Sequence, residues 1–447
     1  MTHVFHRSPG NPLPVAIGGS GAHIIDETGK RYIDACGGAA VSCIGHGDMR
    51  VLEAIQQQMA QISYAHTSFF TSSAAEELAD HLCAATPLPL DRVYFVGSGS
   101  ESIEAAIKMA RQYHVERGEP SRRLVISRHQ SYHGNTLGAL SVGGNPPRRK
   151  PYAPFLLEEP KIEPCFAYRY AHAGESSEDY ANRAANLLED KIRELGPENV
   201  IAFLAETVVG ATAGAVAAEK GYFQKIREIC DRYGVLLILD EVMCGSGRTG
   251  SFLACEQEDV VPDILTLAKG LGGGYQPIAA VMCSKNVYET ITGGSGSFVH
   301  GHTYSAHPVA CAAALAVQQV IRDDGLIDNV VSRGAQLRER LLARFGNHPH
   351  IGDVRGRGLL QAIELVEHRD TREPFSPDWK IGAAIKKSAM EIGLMIYPGS
   401  GTIDGVCGDH ILLAPPYNAD AETIDLIVEK LGLAVDAALE DRLKTGQ

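Results

Sequence analysis

Val235 to Gly250 reads VLLILDEVMCGSGRTG, and after a linker Asp263 to Gly274 reads DILTLAKGLGGG. Val235 to Leu239 is an unbroken apolar run, too short for a buried helix and too uniform for a half-exposed strand. It reads as an inner strand of a parallel sheet, and Asp240 closes it. Ile264 to Ala268 repeats the pattern and ends on a lone Lys269, followed by Gly270, Gly272, Gly273 and Gly274. Both strands deliver one ionisable group to the carboxyl edge of the sheet, where open α/β folds bind their ligands. A desolvated lysine beside a glycine-rich turn loses its proton more easily and becomes an amine nucleophile, which points to Schiff-base chemistry.

The same design recurs on either side of this stretch. Val93 to Val96 is a predicted strand, Gly97-Ser98-Gly99-Ser100 a turn, and Ile103, Ala106, Ile107 and Ala110 mark the buried face of the next helix. A strand, a glycine turn and a helix start leave amide groups and a helix dipole facing outward, a setting suited to phosphate. The spacing is neither GxGxxG nor a Walker loop. Leu124 to Ser127 is another predicted strand, with Ser131-Tyr132-His133-Gly134 past its end, and Val200 to Ala205 makes one more, closed by Glu206. Gly97, Glu206, Asp240 and Lys269 are therefore expected along one sheet edge. Residues 145–180, rich in proline and polar residues, read as a long surface excursion, and Gly293 to His302 as a glycine-rich loop that is mobile or reaches a neighbour.

Before this region, His23 to Ala35 predicts a small hairpin around Thr28-Gly29. Asp48 suits the N-cap of a helix with Leu52, Ile55, Met59 and Ile62 on one face, and Ser73 with Glu76 suits a capping box. Beyond residue 322 the rhythm becomes α+β. The expected organisation is an N-terminal segment, 1–69, that contributes to a small domain; a large cofactor-binding domain, 70–322; and a C-terminal small domain, 323–447.

The 447 residues suffice for two to three domains, and 45% hydrophobic with 21% charged residues is ordinary globular usage. A net charge of -13 argues against nucleic-acid or anionic-membrane partners. No apolar run suggests a membrane span and the first residues lack a signal-peptide core, so a cytoplasmic location is expected. Ten scattered cysteines without a CxxC pair suggest neither a metal site nor a disulfide framework.

A lysine, an acid, a phosphate cradle and an aromatic plate are what pyridoxal 5'-phosphate requires: the lysine forms an imine, and the acid keeps a proton on the ring nitrogen of an electron sink. The sequence resembles the class III, or omega, aminotransferases of fold type I from about residue 20 onward. The resemblance rests on GSGSESIEAAIKMAR (97–111), SYHG (131–134), the strand ending in Glu206, DEVMCGSGRTG (240–250), LAKGLGGG (267–274) and GHTYSAHP (301–308). It implies an α/β fold with a mostly parallel central sheet in a large domain and a small α+β domain. It further implies that Lys269 carries the imine and Asp240 pairs with the pyridinium. Cofactor contacts are implied for Gly99, Ser100, Tyr132, His133, Glu206 and Val242, with Tyr132 and Val242 on the two ring faces. Thr303 is implied to reach the phosphate held by a second subunit, making an obligate homodimer; dimer against tetramer stays open.

Several positions depart from relatives that pass amino groups to 2-oxoglutarate. Those commonly carry an arginine two residues before Ala-Pro-Pro, where this chain has Leu412, and often a glutamine where it has Met243. Pyruvate-dependent relatives carry a mobile arginine in the preceding loop, where Val406 and Cys407 stand here. Arg355, Arg357 or Arg248 are candidates to replace it, a surface or interface role being the simpler reading of each. The expectation is therefore a ping-pong aminotransferase with an amine or omega-amino acid donor and a small 2-oxo acid acceptor, pyruvate first. The alternatives are 2-oxoglutarate as acceptor, an aminomutase or decarboxylase on the same scaffold, a cofactor-free Schiff-base aldolase, and a non-catalytic binding protein.

Overall fold

In the computed structural model, which describes residues 3–8, 10 and 13–445, the first strands are β1 (Ala16–Ser20), β2 (His23–Asp26) and β3 (Arg31–Asp34), paired antiparallel. The β2–β3 turn closes on Asp26, whose Oδ1 accepts from Thr28 N at 2.9 Å and Lys30 N at 3.1 Å. The hairpin expected from His23 to Ala35 is therefore present, with β1 added at its edge.

The central sheet takes its strands from the apolar runs: β4 (Leu90–Val96), β5 (Leu124–Arg128), β6 (Lys161–Ile162) and β7 (Val200–Glu206). A two-stranded hairpin follows, β8 (Val208–Val209) with β9 (Val216–Ala217). The sheet resumes with β10 (Leu236–Asp240), β11 (Ile264–Leu267) and β12 (Ala279–Ser284). The spatial order is β4-β12-β11-β10-β7-β5-β6, and β12 alone runs against its neighbours. The sheet is therefore mostly parallel and the class α/β, as expected.

Every residue of β7 and β10 is buried because helices cover both faces. Leu237, Leu239 and Phe203 belong to one apolar cluster and Leu236, Ile238 and Leu204 to the cluster on the opposite face, the two-residue alternation of a strand. Each such side chain contributes about 1.5–3 kcal/mol, so the strand ends that carry polar groups rest on a stiff support.

The C-terminal strands are β13 (Ile351–Arg357), β14 (Leu360–Leu365), β15 (Leu394–Met395), β16 (Tyr397–Ser400) and β17 (Asp409–Leu413). β13, β14, β17 and β16 form an antiparallel sheet, whereas β15 pairs in parallel with β3. The two ends of the chain thus share a sheet and an apolar cluster that unites Ile33 and Val51 with Ile381 and Ile427.

Three local expectations change. The helix Ser73–Ala84 is capped by Ser72, whose hydroxyl accepts from Ala75 N at 3.3 Å, and Glu76 pairs instead with the Thr71 hydroxyl at 2.5 Å. The cap sits one residue earlier because two serines adjoin and the first has the extended backbone that an N-cap requires. The 145–180 excursion is not wholly irregular: it carries the helix Pro146–Arg149 and returns β6 to the sheet edge. The helix Met49–Gln61, capped by Asp48 as expected, buries Val51 and packs Ile55 on the core but leaves Leu52, Met59 and Ile62 exposed, so the expected face is only partly covered within this chain. No helix among the described residues is long and apolar enough to cross a membrane.

Candidate active site

The carboxyl ends of β4, β7, β10 and β11, with the loop after β5, enclose a cavity of about 430 Å³. Parallel pairing sets their offsets: Asp240 stands opposite Glu206 in β7 and opposite Thr266 in β11. Residues paired in this way point to the same face of a sheet, so the two carboxylates are neighbours.

Asp240 is fixed on three sides. Its Oδ2 lies 2.7 Å from Nδ1 of His133, while its Oδ1 accepts from Val242 N at 3.0 Å and from the Thr266 hydroxyl at 3.4 Å. Both members of the Asp240–His133 pair are buried, and His133 Nε2, also buried, has no partner among the described residues. Glu206 accepts from Tyr132 N at 3.1 Å and Gly210 N at 2.8 Å. Burial pushes its carboxyl up from the ordinary value, His133 opposes the rise and Asp240 adds to it.

Lys269 lies past the end of β11 with φ +45°, a left-handed conformation costly for a residue with a Cβ. The turn is held from outside. Gln318 donates to the carbonyls of Gly270 at 3.0 Å and Leu271 at 2.9 Å, and Gly273 N bonds the Lys269 carbonyl at 2.9 Å. The lysine side chain lines the cavity and makes no hydrogen bond among the described residues. Burial lowers its pKa from 10.5, an effect opposed by the negative charges of Asp240 and Glu206. An amine of this kind becomes nucleophilic below the ordinary lysine range.

The helix Gly99–Glu116 opens onto the same cavity with Ser98 as its N-cap, the serine accepting from Glu101 N. Among the described residues the amides of Gly99 and Ser100 have no partner, and the Ser100 hydroxyl accepts from Asn135 N at 3.0 Å. A Cβ at position 99 would lie 2.9 Å from Cγ1 of Val242, so glycine alone fits there without displacing a neighbour. The arrangement suits a phosphate on the amides, a flat ring between Tyr132 and Val242, and an aldehyde within reach of the lysine. The free amides, the unpartnered His133 nitrogen and the unbonded lysine all face one space and fit such a group.

Thus the cavity brings together eight sequence-predicted residues: Gly99, Ser100, Tyr132, His133, Glu206, Asp240, Val242 and Lys269. Thr303 is outside it, exposed in this chain, with its carbonyl accepting from the Tyr64 hydroxyl at 2.8 Å. The glycine-rich loop before it is tied down: Gln112 donates to Ser297 O at 2.7 Å and accepts from Val299 N at 2.9 Å.

The arginines considered as carboxylate receptors are engaged elsewhere. Arg355 donates to the carbonyls of Ala213 and Gly214, each at 2.6 Å, and pairs with Asp353 and Glu364. Arg357 pairs with Glu258. Arg248, fully buried, donates to Leu359 O at 3.1 Å and Pro415 O at 2.6 Å and stacks on Tyr417. None of the three lines the cavity. Leu412 is cross-strand from Ala362 and belongs to one buried apolar cluster with Met243 and Leu360.

Val41, Ala211 and Gln276 also line the cavity and carry no signal in the sequence. Val41 lies in the N-terminal region and arrives only through tertiary packing. Gln276 follows Lys269 by seven residues and reaches the cavity through the glycine-rich turn between them.

Residues 6–435 match the profile of the aminotransferase class-III family. An uncharacterized aminotransferase of Schizosaccharomyces pombe is 44% identical over 438 residues, 98% of this chain and 95% of that protein. Gamma aminobutyrate transaminase 3, chloroplastic, of Solanum lycopersicum is 34% identical, covering 97% of this chain and 82% of its own. Among solved structures, the omega transaminase from Pseudomonas jessenii in complex with PMP superposes with a TM-score of 0.92 at 32% identity, covering 98% and 96% of the two chains.

Proposed function

The chain belongs to the class III aminotransferases, and from that membership we propose that it moves an amino group from an amine or omega-amino acid to a small 2-oxo acid, pyruvate first. The family depends on pyridoxal 5'-phosphate, and the donor set of the cavity fits it. When bound, the cofactor supplies an electron sink for the pair released at the substrate's amine-bearing carbon.

The remaining roles fall to this chain's own groups. Lys269 would hold the cofactor through its aldehyde and would serve as the base and acid that moves a proton at the substrate's amine-bearing carbon. Asp240 keeps a proton on the ring nitrogen, and His133 fixes the carboxylate that does so. The amides of Gly99 and Ser100 and the Ser100 hydroxyl receive the phosphate. Tyr132 and Val242 wall the ring, and Glu206, braced by two backbone amides, borders its polar edge.

The observation that carries the acceptor assignment is charge. Apart from Lys269, no lysine or arginine among the described residues lines the cavity, so a second substrate carboxylate lacks a resident partner. The relationship to a tomato gamma aminobutyrate transaminase supports omega-amino acids within the donor range. The test is a panel of amines against pyruvate and 2-oxoglutarate, read by bleaching of the bound aldehyde's absorption band. Turnover with pyruvate and little with 2-oxoglutarate is expected; the reverse preference would reassign the acceptor.

A homodimer completes this reading. Tyr304, exposed, packs edge-on against Tyr64, whose hydroxyl bonds the Thr303 carbonyl, and Phe69, Phe70 and Val299 are further exposed apolar residues of the flanking segments, the kind of surface that marks an interface. Thr303→Ala should leave the dimer intact by ultracentrifugation yet speed loss of cofactor on dialysis. Unchanged retention counts against the shared site. We also place the protein in the cytoplasm, where its ten free cysteines stay reduced; cell fractionation checks this.

A further inference from the structure

An amino-group acceptor that is a 2-oxo acid brings one carboxylate into the site, and a carboxylate entering a cavity needs a cation or it stays in water. The arginines named by their sequence context are spent on carbonyls and acids, as described above. Arg148 is not so engaged. Arg148 lies with its guanidinium carbon 4.6 Å from the ring centroid of Tyr132, which lines the cavity. Among the described residues no carboxylate pairs with Arg148, no hydrogen bond uses its guanidinium, and the residue is exposed. Its neighbour Arg149, by contrast, is half-buried and donates to Gly143 O at 3.3 Å.

The position of Arg148 is set by the fold. It belongs to the short helix Pro146–Arg149, whose N-cap Asn145 accepts from Arg148 N at 3.4 Å. That helix packs against the loop between β16 and β17: a Cβ on Gly405 would lie 2.8 Å from Cδ of both Pro146 and Pro147. The loop carries Val406 and Cys407 and no arginine. The wall it packs against supplies one, already stacked on the ring that borders the substrate space.

We propose that Arg148 is the specificity-determining residue that receives the carboxylate of the 2-oxo acid, leaving the face of Tyr132 to do so. The proposal rests on the aminotransferase reading above. An exposed contact between a guanidinium and an aromatic face is weak. A guanidinium presents a planar fork of donors that matches a carboxylate at two points. A carboxylate in the cavity competes with the ring for that fork, and the resting stack on Tyr132 keeps the side chain close to the cavity. With Arg148 as the single receptor, the site takes acceptors with one carboxylate and discriminates against those with two.

The test uses the cofactor-loaded enzyme and two acceptors with one amine donor: pyruvate, and butanal, which has no carboxylate. Arg148→Met should raise KM for pyruvate about tenfold to a hundredfold, the range for losing a charge-assisted hydrogen bond, and leave KM for butanal within about twofold, less than one such bond. Arg148→Lys should restore part of the pyruvate affinity. In a second readout, propanoate binding measured by calorimetry should be present in the parent protein and lost in Arg148→Met. Equal effects on both acceptors would reduce Arg148 to a brace for Tyr132, and no effect on either, or propanoate binding unchanged by the substitution, would also overturn the proposal. If the parent protein transferred no amino group to any acceptor, the aminotransferase reading would fail on its own, and the calorimetric arm would still decide the carboxylate site.

Discussion

Nδ1 of His133 lies 2.7 Å from Oδ2 of Asp240, in a contact that joins residues 107 apart in the chain. It closes the floor of the cavity with a carboxylate whose other oxygen already accepts from Val242 N. The pair fixes both the position and the rotation of the acid that borders the bound ring.

Asp240→Asn puts an amide where His133 and Val242 expect acceptors. Since a neutral amide is a poor partner for a protonated ring nitrogen, turnover should fall by about 10²–10⁴-fold, the span for losing a positioned acid or base. Circular dichroism and the melting transition should show a folded protein. Turnover within about twofold of the parent, a loss of less than 1 kcal/mol of barrier, would remove Asp240 from the mechanism.

Lys269 should show its environment in the cofactor-free protein. Its lowered pKa means that the neutral, nucleophilic amine persists at a lower pH than for a free lysine at 10.5. The rate of cofactor capture should rise with pH through a midpoint below 10.5 and be absent in Lys269→Ala. A midpoint at the free-lysine value would contradict the buried setting. Lys269→Ala should also lose at least about 10⁴-fold in turnover while the protein still folds.

Gly99→Ala tests the phosphate cradle by size alone. The new Cβ meets Val242 Cγ1 at 2.9 Å, closer than real contacts allow, so either Val242 or the start of the helix must shift. Cofactor affinity should fall by about tenfold or more, the equivalent of one charge-assisted hydrogen bond, and equilibrium dialysis measures it. Unchanged affinity would mean that the helix start is not the phosphate site.

His410 predicts a pH effect on stability rather than on chemistry. Burial, assisted by the charge of Arg355, pushes its pKa down to about 3, and its Nδ1 shares a 2.7 Å hydrogen bond with the Thr402 hydroxyl. The unfolded chain binds a proton at this residue below the ordinary value of 6.5, whereas the folded chain does not until about 3. Stability from this group is therefore full above 6.5 and is lost as pH falls, by at most about 1.4 kcal/mol per unit. Denaturant unfolding across that window should give a steeper acid loss for the parent than for His410→Gln. Parallel curves would place the titration elsewhere.

The strand ends were legible in the sequence because the signal there is local. Runs such as VLLIL and ILTL bury every residue, and a lone Asp240 or Lys269 at the end of such a run has little choice but to face the ligand edge. The same holds for the glycine-serine turn before the helix Gly99–Glu116, since capping and helix dipole are properties of neighbours in the chain. What required tertiary structure is everything set by which segments meet. His133 finds Asp240, the amides of Tyr132 and Gly210 find Glu206, and Arg148 finds Tyr132 through packing between distant elements. Likewise, Arg355, Arg357 and Arg248 look equally available in a linear reading. Only the fold shows that carbonyls and acids have already taken them, because a buried guanidinium must find its partners wherever the chain brings them.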